Sequence, residues 1–295
     1  MSTAATPAPT AARGISGSTR VFLILGDPVV QVRAPEVFNF LFGRQGIDAV
    51  LVPAQVAPAD FEGFVRQAFK ARNIDGLWLA IPHKTAMVGL LDRCDRLGRV
   101  SGAVNAARRN ADGSIEGALF DGLGFTKALD VAGVPIAGAR ALVVGVGGGG
   151  VAIAASLAAR GVARLALFDA APGRAESAAQ RVRAEFGTDA VAAVRPDPTG
   201  FDLVVNATPL GLKADDPLPF DVEHLAPAAV VVDILMKNQP TPLLRACQAR
   251  GVRAYPGFEM LLQQMPEYLA FFGYDDLARA VQADPSELRA LLAPR

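Results

Sequence analysis

The stretch ALVVGVGGGGVAIAASLAARGVARLALFD, residues Ala141 to Asp169, decides the fold. Ala141 to Val144 is a short apolar run that suits a strand buried on both faces. Gly145, Val146 and the four glycines Gly147 to Gly150 follow. Val151 to Arg160 is rich in Ala and Leu and reads as a helix ended by Gly161. A second apolar run, Leu165 to Phe168, stops at Asp169. The order is strand, glycine turn, helix, strand, with an acid at the tip of the second strand. Gly145 permits a tight turn, Gly147 leaves room for a pyrophosphate, and Gly150 lets the helix pack closely on the sheet. Unpaired N–H groups and the positive dipole end at the helix start suit an anion. Asp169 can accept hydrogen bonds from both hydroxyls of an adenosine ribose and would repel a 2′-phosphate, so the expected cofactor is NAD, with NADP less favoured.

Composition bounds the rest. The chain has 295 residues, 51% hydrophobic and 20% charged, enough for two cored domains. Lys plus Arg and Asp plus Glu number 29 each, which gives no basis for nucleic acid or an acidic membrane surface as partner. Cys94 and Cys247 make no CxxC, and His83 and His224 stand far apart, so neither a disulfide framework nor a metal site is expected. No apolar run reaches spanning length, and residues 1–17 lack the apolar centre of a secretory signal. Those residues read as a disordered tail on a cytoplasmic protein, a monomer or a homodimer.

Outward from the glycine stretch, strands and helices alternate. Val21 to Gly26, Ala49 to Val52 and Ile74 to Ile81 read as strands. Between them lie helices opened by Pro35 and by Asp60 as cap. Ala103 to Arg109 and Ile115 to Phe120 read as a hairpin turned at Asn110 to Gly113. Gly122 to Val131 reads as a linking helix, Asp202 to Asn206 and Val230 to Asp233 as further strands, and Pro242 to Arg250 as a helix. Helices over Met260 to Phe272, Asp275 to Val281 and Pro285 to Leu292 finish the chain. This alternation points to an α/β layer structure.

A series of motifs over about residues 21–273 resembles the shikimate dehydrogenase family, which includes quinate/shikimate dehydrogenases. Its members are Gly26-Asp-Pro28 with Pro35 and Asn39, Gly76 through Pro82 and Lys84, Ser101-Gly-Ala-Val-Asn105, and Asp121-Gly-Leu-Gly-Phe125. Asn206-Ala-Thr-Pro-Leu-Gly211, Asp233, Thr241-Pro-Leu243, and Gly257 with Met260-Leu261 and Gln264 complete it. The resemblance implies two α/β domains: a substrate domain over 18–121 and 253–295, to which the last helices return, and a Rossmann-type nucleotide domain over 122–252. It implies hydride transfer between a nicotinamide cofactor and the secondary alcohol of a cyclic or small hydroxy acid. Lys84 and Asp121 match the catalytic pair, and Asn105 and Gln264 match residues that bind ring hydroxyls. Gly145, Gly147, Gly148 and Gly149 match the pyrophosphate loop, Asn206 and Thr208 lie beside the cofactor, and Ile234 and Gly257 lie near the nicotinamide.

The departures from the pattern cluster at the substrate. Two serines that bind the substrate carboxylate in the family are Val32 and Ala34 here. A motif threonine is Ala80, a motif asparagine is Trp78, the Asn-Thr before the aspartate is Leu119-Phe120, and a tyrosine is Met236. Each lost hydroxyl removes a hydrogen bond worth on the order of 1 kcal/mol. Shikimate is therefore expected to bind poorly unless Arg33, between the altered positions, grips its carboxylate. Three readings follow: a dehydrogenase with another substrate, an active shikimate/quinate dehydrogenase using Arg33, and a non-catalytic cofactor-sensing protein.

Overall fold

The computed structural model describes residues 14–213 and 215–292. The tail expected over 1–17 lies outside them as far as residue 13; Ser16 opens a turn closed by Thr19 N–H on its carbonyl, at 3.2 Å.

The first unit is built on β1 (Arg20–Gly26), α1 (Ala34–Gln45), β2 (Ala49–Gln55), α2 (Phe61–Ala68) and β3 (Ile74–Leu79). A short helix α3 (His83–Ala86) follows, then β4 (Arg93–Cys94), α4 (Arg96–Ser101) and the hairpin β5 (Ala106–Arg109) and β6 (Ile115–Ala118). The sheet order is β2-β1-β3-β5-β6-β4. β1 runs parallel to β2 and β3, and β5 is antiparallel to both β3 and β6. Asp60 occupies the cap position of α2, but its carboxylate makes no capping bond, contrary to the expectation from sequence. Its carbonyl accepts from Phe64 N–H at 2.9 Å as the first intrahelical bond.

α5 (Asp121–Val131) carries the chain into the second unit: β7 (Arg140–Val144), α6 (Gly148–Ala159), β8 (Arg164–Phe168), α7 (Arg174–Phe186), β9 (Asp189–Ala192), β10 (Leu203–Asn206), β11 (Val230–Asp233), α8 (Pro242–Ala249) and β12 (Arg253–Pro256). All its strand pairs are parallel, in the order β9-β8-β7-β10-β11-β12. This is the Rossmann order, and its switch point falls between β7 and β10. β7, β8, β10 and β11 have nearly unbroken apolar interiors because helices cover both faces. β12 pairs with β11, so the chain leaves this sheet after Pro256 rather than at residue 253.

The last four helices are α9 (Phe258–Gln263), α10 (Met265–Phe271), α11 (Asp275–Ala283) and α12 (Ser286–Leu292). The single helix expected over Met260 to Phe272 breaks at Gln264, with Pro266 in the first turn of the next helix. These helices return to the first unit. Tyr268, Leu269, Leu277, Val281, Leu288 and Leu292 share one core with Phe22, Phe38, Phe42 and Trp78. Trp78 stacks on Phe272 at 4.2 Å and on Tyr268 at 5.4 Å. Each such apolar side chain contributes about 1.5–3 kcal/mol on burial.

α5 is gripped from two sides. A Cβ at Gly122 would lie 2.1 Å from the Ala152 carbonyl oxygen of α6, and one at Gly124 would lie 2.4 Å from that of Met260 in α9. Only glycine lets the three helices cross this closely, and that crossing fixes the position of Asp121 at the start of α5.

Candidate active site

Lys84 sits in α3, one residue after His83, whose ring stacks on Phe61 at 4.3 Å and hydrogen-bonds the Val56 carbonyl at 2.8 Å. The Lys84 carbonyl accepts from Val104 N–H at 2.9 Å, so the backbone beneath the lysine is tied to the following loop. Its Nζ donates to Asp121 Oδ2. The lysine side chain is 20% exposed and the aspartate 9%. Asp121 leads α5 and lies at its positive dipole end. Both groups thus leave helix starts in the first unit, and the lysine stem points toward the second: a Cβ on Gly148 would lie 3.7 Å from Lys84 Cδ.

Asn105 and Gln264 come together beside this pair. Asn105 Nδ2 donates to Gln264 Oε1 at 3.3 Å, and Asn105 Oδ1 accepts from Phe120 N–H at 2.9 Å, one residue before Asp121. Tyr268 donates its hydroxyl to the Asn105 carbonyl at 3.3 Å. Burial, with a smaller push from the Asp121 charge, raises the Tyr268 phenol well above its usual pKa, so it stays a neutral donor. Sequence reading passed over Tyr268; its spacing four residues after Gln264 places it on the same helical side.

The glycine loop has the shape of a phosphate cradle. Gly145 takes φ +94°, where a side chain would also meet Ala207 at 2.7 Å. A Cβ at Gly147 would stand in open space, and one at Gly149 would touch Ile234 Cδ1 at 3.3 Å. Gly257 lies against the Ile234 backbone, with 2.6 Å from its would-be Cβ to Ile234 Cα. Gly148, Gly149, Ile234 and Gly257 therefore form one floor beneath the Lys84 stem, and these residues fit a dinucleotide. Asn206 is fully buried and spent on its own loop: Nδ2 donates to Asp233 Oδ1 (3.1 Å) and Leu210 O (3.3 Å), and Oδ1 accepts from Thr208 N–H (3.0 Å) and Oγ1–H (2.7 Å). It braces the floor rather than reaching out from it. Asp233, which Thr241 also bonds at 2.6 Å, has its pKa raised by burial.

Two expected roles meet a different geometry. Arg33 donates from Nη1 to the Leu292 carbonyl at 2.9 Å and from Nη2 to Leu291 O at 3.4 Å and Glu36 Oε2 at 3.1 Å. A guanidinium on the carbonyl end of α12 is well matched to the helix dipole. Trp78, at the motif asparagine position, is packed into the aromatic core at 2% exposure. Ala80 follows two residues later at the end of β3, its N–H bonded to Leu25 O at 2.8 Å, and its methyl faces Gly26 at 3.2 Å from that residue's would-be Cβ. Met236 is 44% exposed beyond β11.

The family model described as "Shikimate dehydrogenase substrate binding domain" matches residues 24–107. A "Shikimate dehydrogenase (NADP(+))" from Rubrobacter xylanophilus is 38% identical over 254 residues, covering 85% of this chain and 89% of that one. The chain belongs to the shikimate dehydrogenase family. This is a family of NAD(P)-dependent dehydrogenases acting on CH–OH groups. Another family member, the "Shikimate dehydrogenase (NADP(+))" of Acidiphilium cryptum, is also 38% identical, over 92% of this chain and 98% of its own. A crystal structure of the Listeria monocytogenes shikimate 5-dehydrogenase with shikimate and NAD superposes with a TM-score of 0.80 at 25% identity, covering 92% of this chain and 98% of that one.

The names of the 38% identical relatives overturn the expectation of NAD. The geometry supplies the reason. Asp169 does not extend a free carboxylate: Oδ2 accepts from Val146 N–H at 2.7 Å and Oδ1 from Ala171 N–H at 2.9 Å. The acid at the strand tip holds the glycine loop to the loop after β8. Arg174 Nη1 stands 3.5 Å from it and brings a compensating cation. Among the described residues, no three His, Cys, Asp or Glu side chains gather as a metal site, and no helix is long and apolar enough to cross a membrane.

Proposed function

We propose that this chain is an NADP-linked dehydrogenase that moves a hydride between the nicotinamide and the secondary alcohol of a cyclic or small hydroxy acid. The observation that carries the reading is the Lys84–Asp121 pair, part-buried and set beside the glycine floor at Gly148. The cofactor, when bound, supplies the hydride acceptor or donor. The protein must then handle the hydroxyl proton. Lys84 hydrogen-bonds the reacting oxygen, and the pair takes up the proton as the alcohol becomes a carbonyl. Asn105 and Gln264 hold neighbouring hydroxyls through their amides.

The 38% identical relatives named for shikimate and NADP(+) support the reaction class and the cofactor. The apolar residues Val32, Ala34 and Ala80 argue that shikimate is a poor substrate, and Arg33, bound to α12, gives no substitute grip. A cofactor-reduction screen over a panel of hydroxy acids tests the proposal, with Lys84→Ala as control. Turnover of a panel member that Lys84→Ala abolishes supports it. Tight cofactor binding without turnover of any of them would point to a sensor instead.

A further inference from the structure

Four large apolar side chains stand exposed on loops that leave the carboxyl ends of parallel strands. Val30, 90% exposed, follows β1, and Ile81, 72% exposed, follows β3; Leu212 follows β10 and Met236 follows β11. Such ends are where an α/β sheet opens onto its ligand. The candidate site leaves the same ends. Lys84 comes three residues after Ile81, and Met236 comes two after Ile234, whose Cδ1 lies 3.3 Å from a Cβ built on Gly149. The loops are laced in pairs. Asp27 N–H donates to the Ile81 carbonyl at 3.0 Å, and Asn238 Nδ2 donates to the Leu212 carbonyl at 2.6 Å. Their other amides are also spent at home: Gln31 Nε2 donates to Pro28 O at 2.7 Å and Gln239 Nε2 to Leu235 O at 2.6 Å. Val30, Ile81 and Met236 stay accessible beside them. Apolar side chains exposed singly need no explanation, but a set gathered at the rim of a site marks what the site binds.

We infer that the substrate is a hydroxy acid bearing an alkyl or aryl substituent, which lies across Ile81 and Met236 while Lys84 and Asp121 handle its hydroxyl. The inference rests on the dehydrogenase reading above. An apolar substituent placed on this rim removes apolar surface from water on both partners. Ring hydroxyls placed there would instead lose water to aliphatic groups that cannot bond them. The loop after β1 is apolar inward as well, since Ala34 belongs to the core of the first unit and Val32 packs against it. Selection then has two ends: the amides of Asn105 and Gln264 for the polar edge of the substrate, and the rim for its apolar edge. Because Ile81 and Met236 stand on different units, both units read the substituent.

The test is steady-state kinetics with NADP on hydroxycyclohexanecarboxylate, on its methyl- and phenyl-substituted derivatives at each open ring carbon, and on quinate as the polyhydroxylated member. The expected result is a kcat/KM for the best methyl derivative about fourfold above that of the parent acid, for the best phenyl derivative about tenfold or more above it, and for quinate below it. Ile81→Asn and Met236→Gln should bring the phenyl-to-parent ratio down toward unity, while Met236→Leu should keep it. Thermal unfolding midpoints report that the variants are folded. A parent acid or quinate turned over as well as every substituted member would overturn the inference and leave the dehydrogenase reading standing. Equal losses across the whole series in both polar variants would assign these side chains to contact between the units and overturn it as well. If no member is turned over, the dehydrogenase reading fails, and calorimetry of the same acids with the NADPH-loaded protein decides the rim. Affinity that rises from quinate to the phenyl derivative supports it, and flat affinity overturns it.

Discussion

Lys84 and Asp121 meet as a hydrogen-bonded ion pair at the starts of two helices, and the lysine stem lies against Gly148 of the other unit. The ion pair therefore belongs to helices of the first unit and the glycine loop to the second, and the two lie side by side.

The first expected outcome concerns that pair. Lys84→Ala should lower turnover by about 10²-fold or more, the scale of a lost general acid–base group, while cofactor affinity stays within a few fold. Steady-state kinetics with a separate binding titration checks it. Near-normal turnover in the variant would remove Lys84 from proton transfer.

Shikimate should be a poor substrate, in apparent affinity as well as in rate. Val32, Ala34 and Ala80 offer it no hydroxyl, and each missing bond is worth on the order of 1 kcal/mol. A micromolar Michaelis constant for shikimate would show that the wall binds it by other means.

Arg33→Ala should act on stability and not on substrate. Its bonds to the Leu292 and Leu291 carbonyls are charge-assisted but partly exposed, so the loss should be about 1–2 kcal/mol. Thermal or urea unfolding measures this, and Michaelis constants for acids should hardly move. A large rise in those constants with unchanged stability would restore the arginine to the substrate site.

Asp233 gives a pH signature. Burial raises its folded pKa above the ordinary 3.8, so its contribution to stability is fully present below that value and is lost as pH rises through the folded pKa. Asp233→Asn cannot ionise. Its stability relative to the wild type should therefore climb as pH is raised from below 3.8 toward neutrality. Parallel unfolding curves across that range would show that Asp233 keeps an ordinary pKa.

Much of this architecture is legible in the chain because the signals are local. Ala141 to Asp169 shows its strand, turn and helix by continuous apolar runs and glycines, and the Lys84, Asn105 and Asp121 motifs sit next to strand ends. The elements that sequence reading missed lack such marks. α7 is rich in Arg, Glu and Ala with a thin apolar stripe, and β4, β9 and β12 are short strands, all at sheet edges. The partners of Asp169 and Arg33 were not legible for another reason. A free carboxylate and a free guanidinium are natural defaults, and what captured each is a tertiary contact: backbone N–H groups across a loop for one, the far end of the chain for the other. The arginines of α7 share that difficulty, since nothing local marks Arg181 as facing the carbonyl of Val100.

A ribosome making this chain releases β1, α1 and β3 long before the helices that cover them. Phe22 and Trp78 then lack Phe272, which packs 5.1 Å from one ring and 4.2 Å from the other, and Phe42 lacks Tyr274 at 5.4 Å. The second unit has no such wait, because its sheet is supplied without interruption from Arg140 to Pro256. The unit made first is thus the last to close, and its aromatic face stands open through most of translation. In a crowded cell that interval is when the nascent chain needs shielding, and it makes the final turns of α12, clasped by Arg33, the step that ends the exposure.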